Sequence, residues 1–177
     1  MSNLSPESGH IWESGKVYSH SVGLSCCFRQ WRAVHTHCKF LHGYALKVEF
    51  TFRRSSFDLT LDDTNWVMNF GGMKEVKKWL EETFDHKTLV AKDDPQLSLF
   101  EYLATDPNTD EPQDSVYDSG LAAPLIQLVV VDHVGCEAFA RMIFDQVKTM
   151  LPIGVLLHEV KVSEHESNWA SYGRAKP

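Results

Sequence analysis

Three histidines, a cysteine and a tyrosine fall within ten positions of this 177-residue chain, at His35, His37, Cys38, His42 and Tyr44. Because side chains alternate along a strand, His42 and Tyr44 would project to the same side of a strand that begins there. Three neutral imidazoles with one open position are typical of catalytic zinc, and the preceding turn could supply His35 and His37 beside His42. An ordinary His-rich turn without a metal has the same spacing, so the residues alone leave both interpretations open.

Three further residue groups could take part in proton transfer or ligand binding. In Asp85-His86, the carboxylate could orient the imidazole as a general base, or the pair could simply cap the end of a helix. Cys38 follows His37 and is either an activated thiol or a small packed hydrophobe. Glu164 follows the last predicted strand and points inward, where it needs either a ligand with paired N–H donors or a salt-bridge partner.

The hydrophobic pattern predicts the elements that position these residues. Period-2 alternation is typical of half-buried strands, and apolar residues spaced three and four apart are typical of amphipathic helices. The patterns predict strands at 16–30, 44–52 and 155–163, with a short aromatic tail at the end, and helices from Gly71-Gly72 to about Thr83 and from Gly135 to before Pro152. This order predicts an α+β fold in which an antiparallel four-stranded sheet carries two helices on one face.

Composition limits the classes of protein that the chain could represent. The chain carries 24 Asp and Glu against 17 Lys and Arg, a net charge of −7, which argues against nucleic acid or an anionic membrane as the main partner. Four cysteines without a CxxC motif favour a reducing, cytoplasmic compartment. We expect one domain over 1–177 with a solvated acidic insertion at about 96–127. The edges of an open sheet also favour assembly into a homo-oligomer.

Five segments, in order along most of the chain, resemble the family of 6-pyruvoyltetrahydropterin and 6-carboxytetrahydropterin synthases, which have the tunnelling (T-) fold. The segments are Cys38-Lys39-Phe40-Leu41-His42-Gly43-Tyr44, Trp66-Val67-Met68-Asn69-Phe70 with Met73-Lys74, Phe84-Asp85-His86-Lys87-Thr88-Leu89, Gly135-Cys136-Glu137 and the glutamate Glu164 before the aromatic tail. The resemblance implies trimers that pair into hexamers and close their sheets into a barrel.

The resemblance also implies an activity and roles for particular residues. It implies a lyase that converts dihydroneopterin triphosphate to 6-carboxytetrahydropterin, on a deazapurine route such as that to queuosine, or else to 6-pyruvoyltetrahydropterin. Cys38 would transfer a proton, and Asp85 would orient His86 for the same work. Glu164 would hold the amino-pyrimidine edge of the pterin, and Glu137 would line the same pocket.

The departures from the family pattern fall on its zinc site, which uses a histidine of the first strand and both histidines of a His-Gly-His motif. Here Tyr44 replaces the last histidine, and an ungapped match of residues 28–32 places Arg32 at the first position. A charged guanidinium cannot bind zinc. We expect His35 and His37 to rebuild the zinc site with His42. The alternative is a metal-free T-fold protein that binds a pterin or a purine-like ligand, with altered catalysis or none.

Overall fold

The part of the chain that the structure describes forms an α+β domain around one seven-stranded sheet with three α-helices. The structure is a computed structural model that describes residues 5–7, 10–54, 60–61, 63–105 and 124–175. The strands are β1 (Glu13–Tyr18), β2 (Leu24–Phe28), β3 (His42–Arg54), β4 (Lys87–Ala91), β5 (Leu128–Val131), β6 (Val155–Ser163) and β7 (Trp169–Gly173). The helices are α1 (Lys74–Phe84), α2 (Leu97–Ala104) and α3 (Cys136–Val147).

The long central strand β3 organises the sheet, and its sequence alternation is reproduced in its burial. Leu46, Val48, Phe50 and Phe52 are at most 2% exposed, while the residues between them are partly exposed. β3 pairs antiparallel with β2 at one end, with β1 at the other and with β6 along its opposite edge. The residues that begin β3 therefore lie in the hairpin with β2, at one end of the sheet.

The two long helices cover the same face of this sheet, as predicted. Val76, Leu80 and Phe84 form the buried stripe of α1, and Phe139, Ile143 and Val147 form that of α3. The rings of Phe84 and Phe139 meet edge to face with their centroids 5.4 Å apart, so the helices contact each other over the sheet. Burial of these stripes stabilises the fold through the hydrophobic effect.

None of the helices described is long and apolar enough to cross a membrane.

The prediction of one continuous strand at 16–30 is wrong. A 3-10 turn at His20–Val22 and Gly23, which has a φ of 89°, divide the segment into β1 and β2. A positive φ is readily adopted by glycine, which has no Cβ, and here it interrupts the extended backbone while both strands stay antiparallel to β3. β1 and β2 therefore pair with different parts of β3. Only β2 lies beside the His-rich segment.

The prediction of four antiparallel strands is also wrong, because β4 and β5 add parallel pairs. β2 pairs parallel with β4, and β4 pairs parallel with β5. Apolar runs of four or five residues carry no period that distinguishes a buried strand from a helix, which is why these strands were missed. The predicted acidic insertion at 96–127 contains α2 in its first part, while residues 106–123 lie outside the described residues.

Candidate active site

The β2–β3 hairpin brings one residue of β2 directly against the first residue of β3. Phe28 pairs with His42, and Cys26 pairs with Tyr44. Directly opposite residues of an antiparallel pair project to the same face, so Phe28, His42 and Tyr44 share one side of the sheet. The connecting turn is closed by a hydrogen bond of 2.7 Å from the Gln30 amide to the Cys38 carbonyl. Cys38 itself lies in a 3-10 turn, next to this end of the hairpin.

His42 and Tyr44 do project to the same side, and their side chains contact each other. The Tyr44 hydroxyl is hydrogen-bonded to His42 Nε2, while His42 Nδ1 lies 2.6 Å from the Phe40 carbonyl oxygen. The Tyr44 ring stacks on Phe28 with a centroid distance of 5.1 Å and an interplanar angle of 28°. Burial, followed by the nearby Glu164, raises the pKa of Tyr44 to about 12, so its hydroxyl stays protonated at neutral pH.

Glu164 faces this same group of side chains from the end of β6. Burial raises the pKa of Glu164 above its usual value, and Glu137 acts in the same direction, while His165 and His42 oppose the change. Cys136 contacts the Glu164 carboxyl, and burial followed by both carboxylates raises the pKa of its thiol to about 12. Such a thiol is a weak hydrogen-bond donor and not a nucleophile at neutral pH. We call His42, Tyr44, Cys136, Glu137 and Glu164 the Glu164 cluster.

A tight turn before α3 places Cys136 and Glu137 in this cluster. Gly135 has a φ of 108°, and a Cβ at this position would collide with the Gln30 side-chain amide. Glu137 Oε2 would lie 3.8 Å from the same Cβ, so the Gln30 amide and the Glu137 carboxylate flank one glycine. Gln30 and Cys136 were not among the site residues predicted from the sequence. Only the Gly135-Cys136-Glu137 motif pointed to this turn.

The Asp85 and His86 side chains contact each other just after α1. Asp85 Oδ1 lies 3.0 Å from His86 Nδ1, and the same oxygen accepts a hydrogen bond of 3.2 Å from the Ser25 amide. His86 has a φ of 56°, and its amide donates to the Ser25 carbonyl at 2.6 Å. These bonds fix the pair to the start of β2 and leave the imidazole 78% exposed. A carboxylate at this distance from an imidazole nitrogen can orient the ring as a general base, and this role stays a prediction.

Within one chain, the two predicted proton-transfer groups lie at opposite ends of β2. Asp85 and His86 are bonded to Ser25, whereas Cys38 lies at the turn beyond Phe28. Ser25 and Phe28 are three residue steps apart along the extended strand, which is roughly 10 Å at about 3.3 Å per residue. Among the described residues, no contact joins Cys38 to His86.

The predicted zinc ligands do not gather into a metal site in the part of the chain that the structure describes. No group of three or more His, Cys, Asp or Glu side chains there is placed to hold a metal ion. His35 and His37 thus do not complete a set with His42 in this conformation, and the rebuilt zinc site stays a prediction.

The ungapped match that puts Arg32 at the position of the family's first-strand histidine disagrees with the strand pairing. Arg32 lies in the turn after β2, where its guanidinium is 4.4 Å from the Trp31 ring centroid and 2.6 Å from Asp93 Oδ2. The strand residue that faces His42 is Phe28, which is 2% exposed. An ungapped match could not show this, because strand pairing defines which β2 residue lies across from His42.

A cavity of about 350 Å³ lies where three parallel strands end. Its walls come from the last residue of β4 and from the segments that follow β2, β4 and β5, and they are Gln30, Trp31, Arg32, Ala33, Ala91, Asp93, His133 and Val134. Crevices outside the carboxyl ends of parallel strands are frequent ligand sites. Because Gln30 also touches the turn before α3, this cavity adjoins the Glu164 cluster.

The architecture is shared with solved structures of low sequence identity. An uncharacterized protein from Wolinella succinogenes superposes with a TM-score of 0.73 at 18% identity, covering 94% of this chain and 100% of that one. The 6-pyruvoyl tetrahydropterin synthase of Caenorhabditis elegans gives a TM-score of 0.58 at 15% identity, covering 99% of this chain and 100% of that one. The corresponding synthase from Plasmodium vivax gives 0.57 at 17% identity, covering 92% and 98%. The fold is therefore that of the T-fold proteins.

A sequence model narrows the class to one family. The model described as "6-pyruvoyl tetrahydropterin synthase" matches residues 18–175, nearly the whole chain, and the chain belongs to this family. Curated relatives include the 6-carboxy-5,6,7,8-tetrahydropterin synthases of Rickettsia felis, 34% identical over 61 residues, and Rickettsia conorii, 33% identical over 61 residues. These matches cover 34% of this chain and 41% of each relative. The chain thus spans less than half the length of the curated relatives that it matches.

Proposed function

We propose that the chain is a pterin-synthase-type lyase that acts on dihydroneopterin triphosphate and forms 6-carboxytetrahydropterin, or else 6-pyruvoyltetrahydropterin. Family membership supports a pterin synthase-type function, and the Rickettsia relatives favour the carboxy product. The observation that carries the proposal is the Glu164 cluster. A half-buried carboxyl there has no described salt-bridge partner to balance it, and two further polar groups of α3 lie beside it.

Glu164 is the proposed anchor of the pterin ring. A carboxylate accepts two parallel N–H bonds from an amino-pyrimidine edge, which compensates the cost of keeping the charge half buried. The Cys136 contact to Glu164 holds the carboxyl in place, and Glu137 lines the same pocket. The predicted roles of Glu164 and Glu137 therefore remain, with Cys136 added as a positioning residue.

The cavity next to the cluster is the proposed site of the phosphate-bearing side chain. Arg32 and His133 line it, and each can donate hydrogen bonds to phosphate oxygens. Arg32 lies over Trp31 and is bonded to Asp93, so its guanidinium is held at the cavity wall. Gln30 lines this cavity and also lies near Glu137 at Gly135, so the cavity and the Glu164 cluster are neighbours. One substrate could then place its ring in the cluster and its phosphate-bearing side chain in the cavity.

Proton transfer is the proposed role of Cys38 and of the pair formed by Asp85 and His86. A base removes a proton from a side-chain carbon of the substrate, and the triphosphate leaves from a neighbouring carbon with the bonding electron pair, which accounts for the pyruvoyl product. The carboxy product requires in addition that water is consumed and that the two outer side-chain carbons leave as acetaldehyde. Because Cys38 and His86 lie at opposite ends of β2 in one chain, we propose that a second copy supplies one of them. This arrangement requires the predicted homo-oligomer, a trimer or a hexamer.

Product analysis by mass spectrometry tests the function. The full chain is incubated with dihydroneopterin triphosphate, and carboxy- or pyruvoyl-tetrahydropterin, triphosphate and acetaldehyde are measured. We expect turnover by the wild type and at least a roughly 100-fold loss in Cys38→Ala and His86→Ala, since general acid–base groups contribute about that much. His10→Ala, an exposed histidine outside the site, is the matched control.

A second candidate function is a T-fold protein that binds a pterin or purine-like ligand without catalysing this reaction. Phe28 and Tyr44, which stand where ligands of the family's zinc are expected, favour it. Recovery of unchanged substrate from protein that binds a pterin with micromolar or better affinity would support this candidate and refute the lyase.

A further inference from the structure

The strand pairing places only one imidazole where the resemblance implies three zinc ligands. The β2–β3 register sets Phe28 directly across from His42, and Tyr44 follows two residues later on the same face. Phe28 offers no donor atom, and a phenol is a poor substitute for the histidine that it replaces. The face that should hold the metal therefore consists of a benzyl ring, an imidazole and a phenol.

The remaining imidazole already has a partner at each ring nitrogen. The Phe40 carbonyl can only accept a hydrogen bond, so the Nδ1 atom that lies 2.6 Å from it carries the proton. His42 Nε2 is then the lone-pair nitrogen, and the Tyr44 hydroxyl donates to it. A carbonyl on Nδ1 is also what orients a metal-binding histidine. Here the hydroxyl proton of Tyr44 occupies the lone pair that a metal would need.

Aromatic packing keeps the Tyr44 hydroxyl in this position. The Tyr44 ring lies against Phe28, and Phe28 meets Phe139 of α3 edge to face at 5.0 Å. Phe139 is fully buried, and it meets Phe84 of α1 in turn. Moving the phenol away from His42 would expose the Phe28 ring and open a gap in the core, both of which cost free energy.

We propose that the hydrogen-bonded pair of Tyr44 and His42 replaces the zinc ion in this chain and serves as a metal-free anchor for a ligand hydroxyl. The Tyr44 oxygen donates its proton to His42 and has lone pairs left to accept a hydrogen bond from a hydroxyl of the ligand. Glu164 lies within electrostatic range of His42 and Tyr44, so the hydroxyl belongs to a ligand whose ring Glu164 holds. The ligand part of this inference rests on the proposed pterin function, whereas the metal part does not.

Metal content tests the first part without any substrate. The full-length wild type and His42→Ala are produced in zinc-supplemented medium, dialysed without chelator and analysed by inductively coupled plasma mass spectrometry. Zinc affinity is also measured by competition with a chromophoric chelator. We expect no stoichiometric zinc in the wild type and no difference between it and His42→Ala. One zinc per wild-type chain that is lost in His42→Ala would overturn the proposal.

Restoring the family's ligands gives a positive control. Phe28→His combined with Tyr44→His recreates three imidazoles on this face, and we expect the folded double variant to bind zinc at least 100-fold more tightly than the wild type. Because Phe28 is in the core, Tyr44→His alone is measured as well, and we expect it to gain about tenfold. Equal zinc affinity in the wild type and in both folded variants would contradict the assignment.

Ligand binding tests the second part and separates its failure from that of the proposed function. Tyr44→Phe removes only the hydroxyl, so it should weaken binding of neopterin, whose side chain carries hydroxyls, by roughly tenfold. Binding of pterin itself, which lacks that side chain, should be unchanged. If neither compound binds the wild type, the proposed function fails while the metal result stands. If neopterin binds the wild type and Tyr44→Phe equally, the hydroxyl anchor is wrong and the pterin function stands.

Discussion

Replacing Asp94 should destabilise the fold more than any other single charge removal in the described ion pairs. Its side chain is 1% exposed, and it accepts hydrogen bonds from Arg29 Nε at 2.8 Å and from Nη2 at 2.5 Å. The Gln96 amide adds a third bond of 2.9 Å. These bonds connect the end of β2 to the turn before α2, next to the cavity that Arg32 lines.

The expected magnitude follows from this burial. Removal of one partner of a buried pair leaves an uncompensated charge and costs about 3–5 kcal/mol. For a chain of this size, a loss of 1 kcal/mol lowers Tm by about 2–4 °C, so Asp94→Ala should lower Tm by roughly 6–20 °C. Asp94→Asn keeps the shape, but it removes the charge and replaces one accepting oxygen with an N–H2 donor that faces the Arg29 or Gln96 donors, so it should cost at least about 1.5–3 kcal/mol.

The assay is urea denaturation followed by circular dichroism, with Asp93→Asn as the matched control. Asp93 is the preceding residue and also pairs with an arginine, but its side chain is 38% exposed and that of Arg32 is 71% exposed. Exposed pairs contribute less than about 1 kcal/mol. Equal losses in Asp94→Asn and Asp93→Asn would refute the argument from burial, as would a double-mutant cycle of Arg29 and Asp94 without coupling.

The pH dependence gives an independent test of the same pair. Burial acts to raise the pKa of Asp94, but the Arg29 and Gln96 bonds outweigh it, and the pKa lies below the usual value. The stabilisation is therefore complete above the unfolded pKa of about 3.9 and is lost as pH falls through the lower pKa of the folded state. The difference in unfolding free energy between the wild type and Asp94→Asn should shrink below about pH 4.

Three further substitutions have expected outcomes. Glu164→Gln should weaken pterin binding in a fluorescence titration by roughly 10- to 150-fold, the equivalent of about 1.5–3 kcal/mol. Because burial raises the pKa of Glu164, the fold disfavours its ionised form. The free energy of unfolding of Glu164→Gln at pH 7 should therefore equal or exceed that of the wild type. A large decrease in this free energy would contradict the prediction. Phe28→Ala should cost about 3–5 kcal/mol on urea denaturation, whereas exposed Val17→Ala should cost less than about 1. Gly135→Ala should lower both Tm and pterin affinity, because its Cβ meets the Gln30 amide at a positive φ; unchanged affinity would exclude this turn from the site.

Local sequence patterns were sufficient for the elements that bury one clear face. The alternation of Leu46, Val48, Phe50 and Phe52 and the helical spacing of Val76, Leu80 and Phe84 each repeat over several turns or pleats. Such patterns record burial directly, since each core position must be apolar. The T-fold could be inferred as well, because five motifs occur in the order in which the family has them.

Long-range pairing determined the rest. The short segments β4 and β5 become strands because β4 pairs parallel with β2 and β5 pairs parallel with β4. Four or five residues are too few for a periodic pattern that would predict a parallel partner. The sequence contained the His-rich segment but not the β2 residue that faces it. Only the register of the hairpin identified that residue as Phe28 and excluded Arg32.

By itself, then, the sequence determined the family, the central strand and the two covering helices, because these depend on residue types at fixed spacing. The tertiary structure decided how the site is composed. In the tertiary structure Cys136 contacts Glu164, the Gln30 side chain lies against Gly135, and the Tyr44 hydroxyl is hydrogen-bonded to His42 Nε2. These contacts either join residues from different elements or depend on side-chain rotamers. The spacing of residues along the chain determines neither the pairing of elements nor the rotamers.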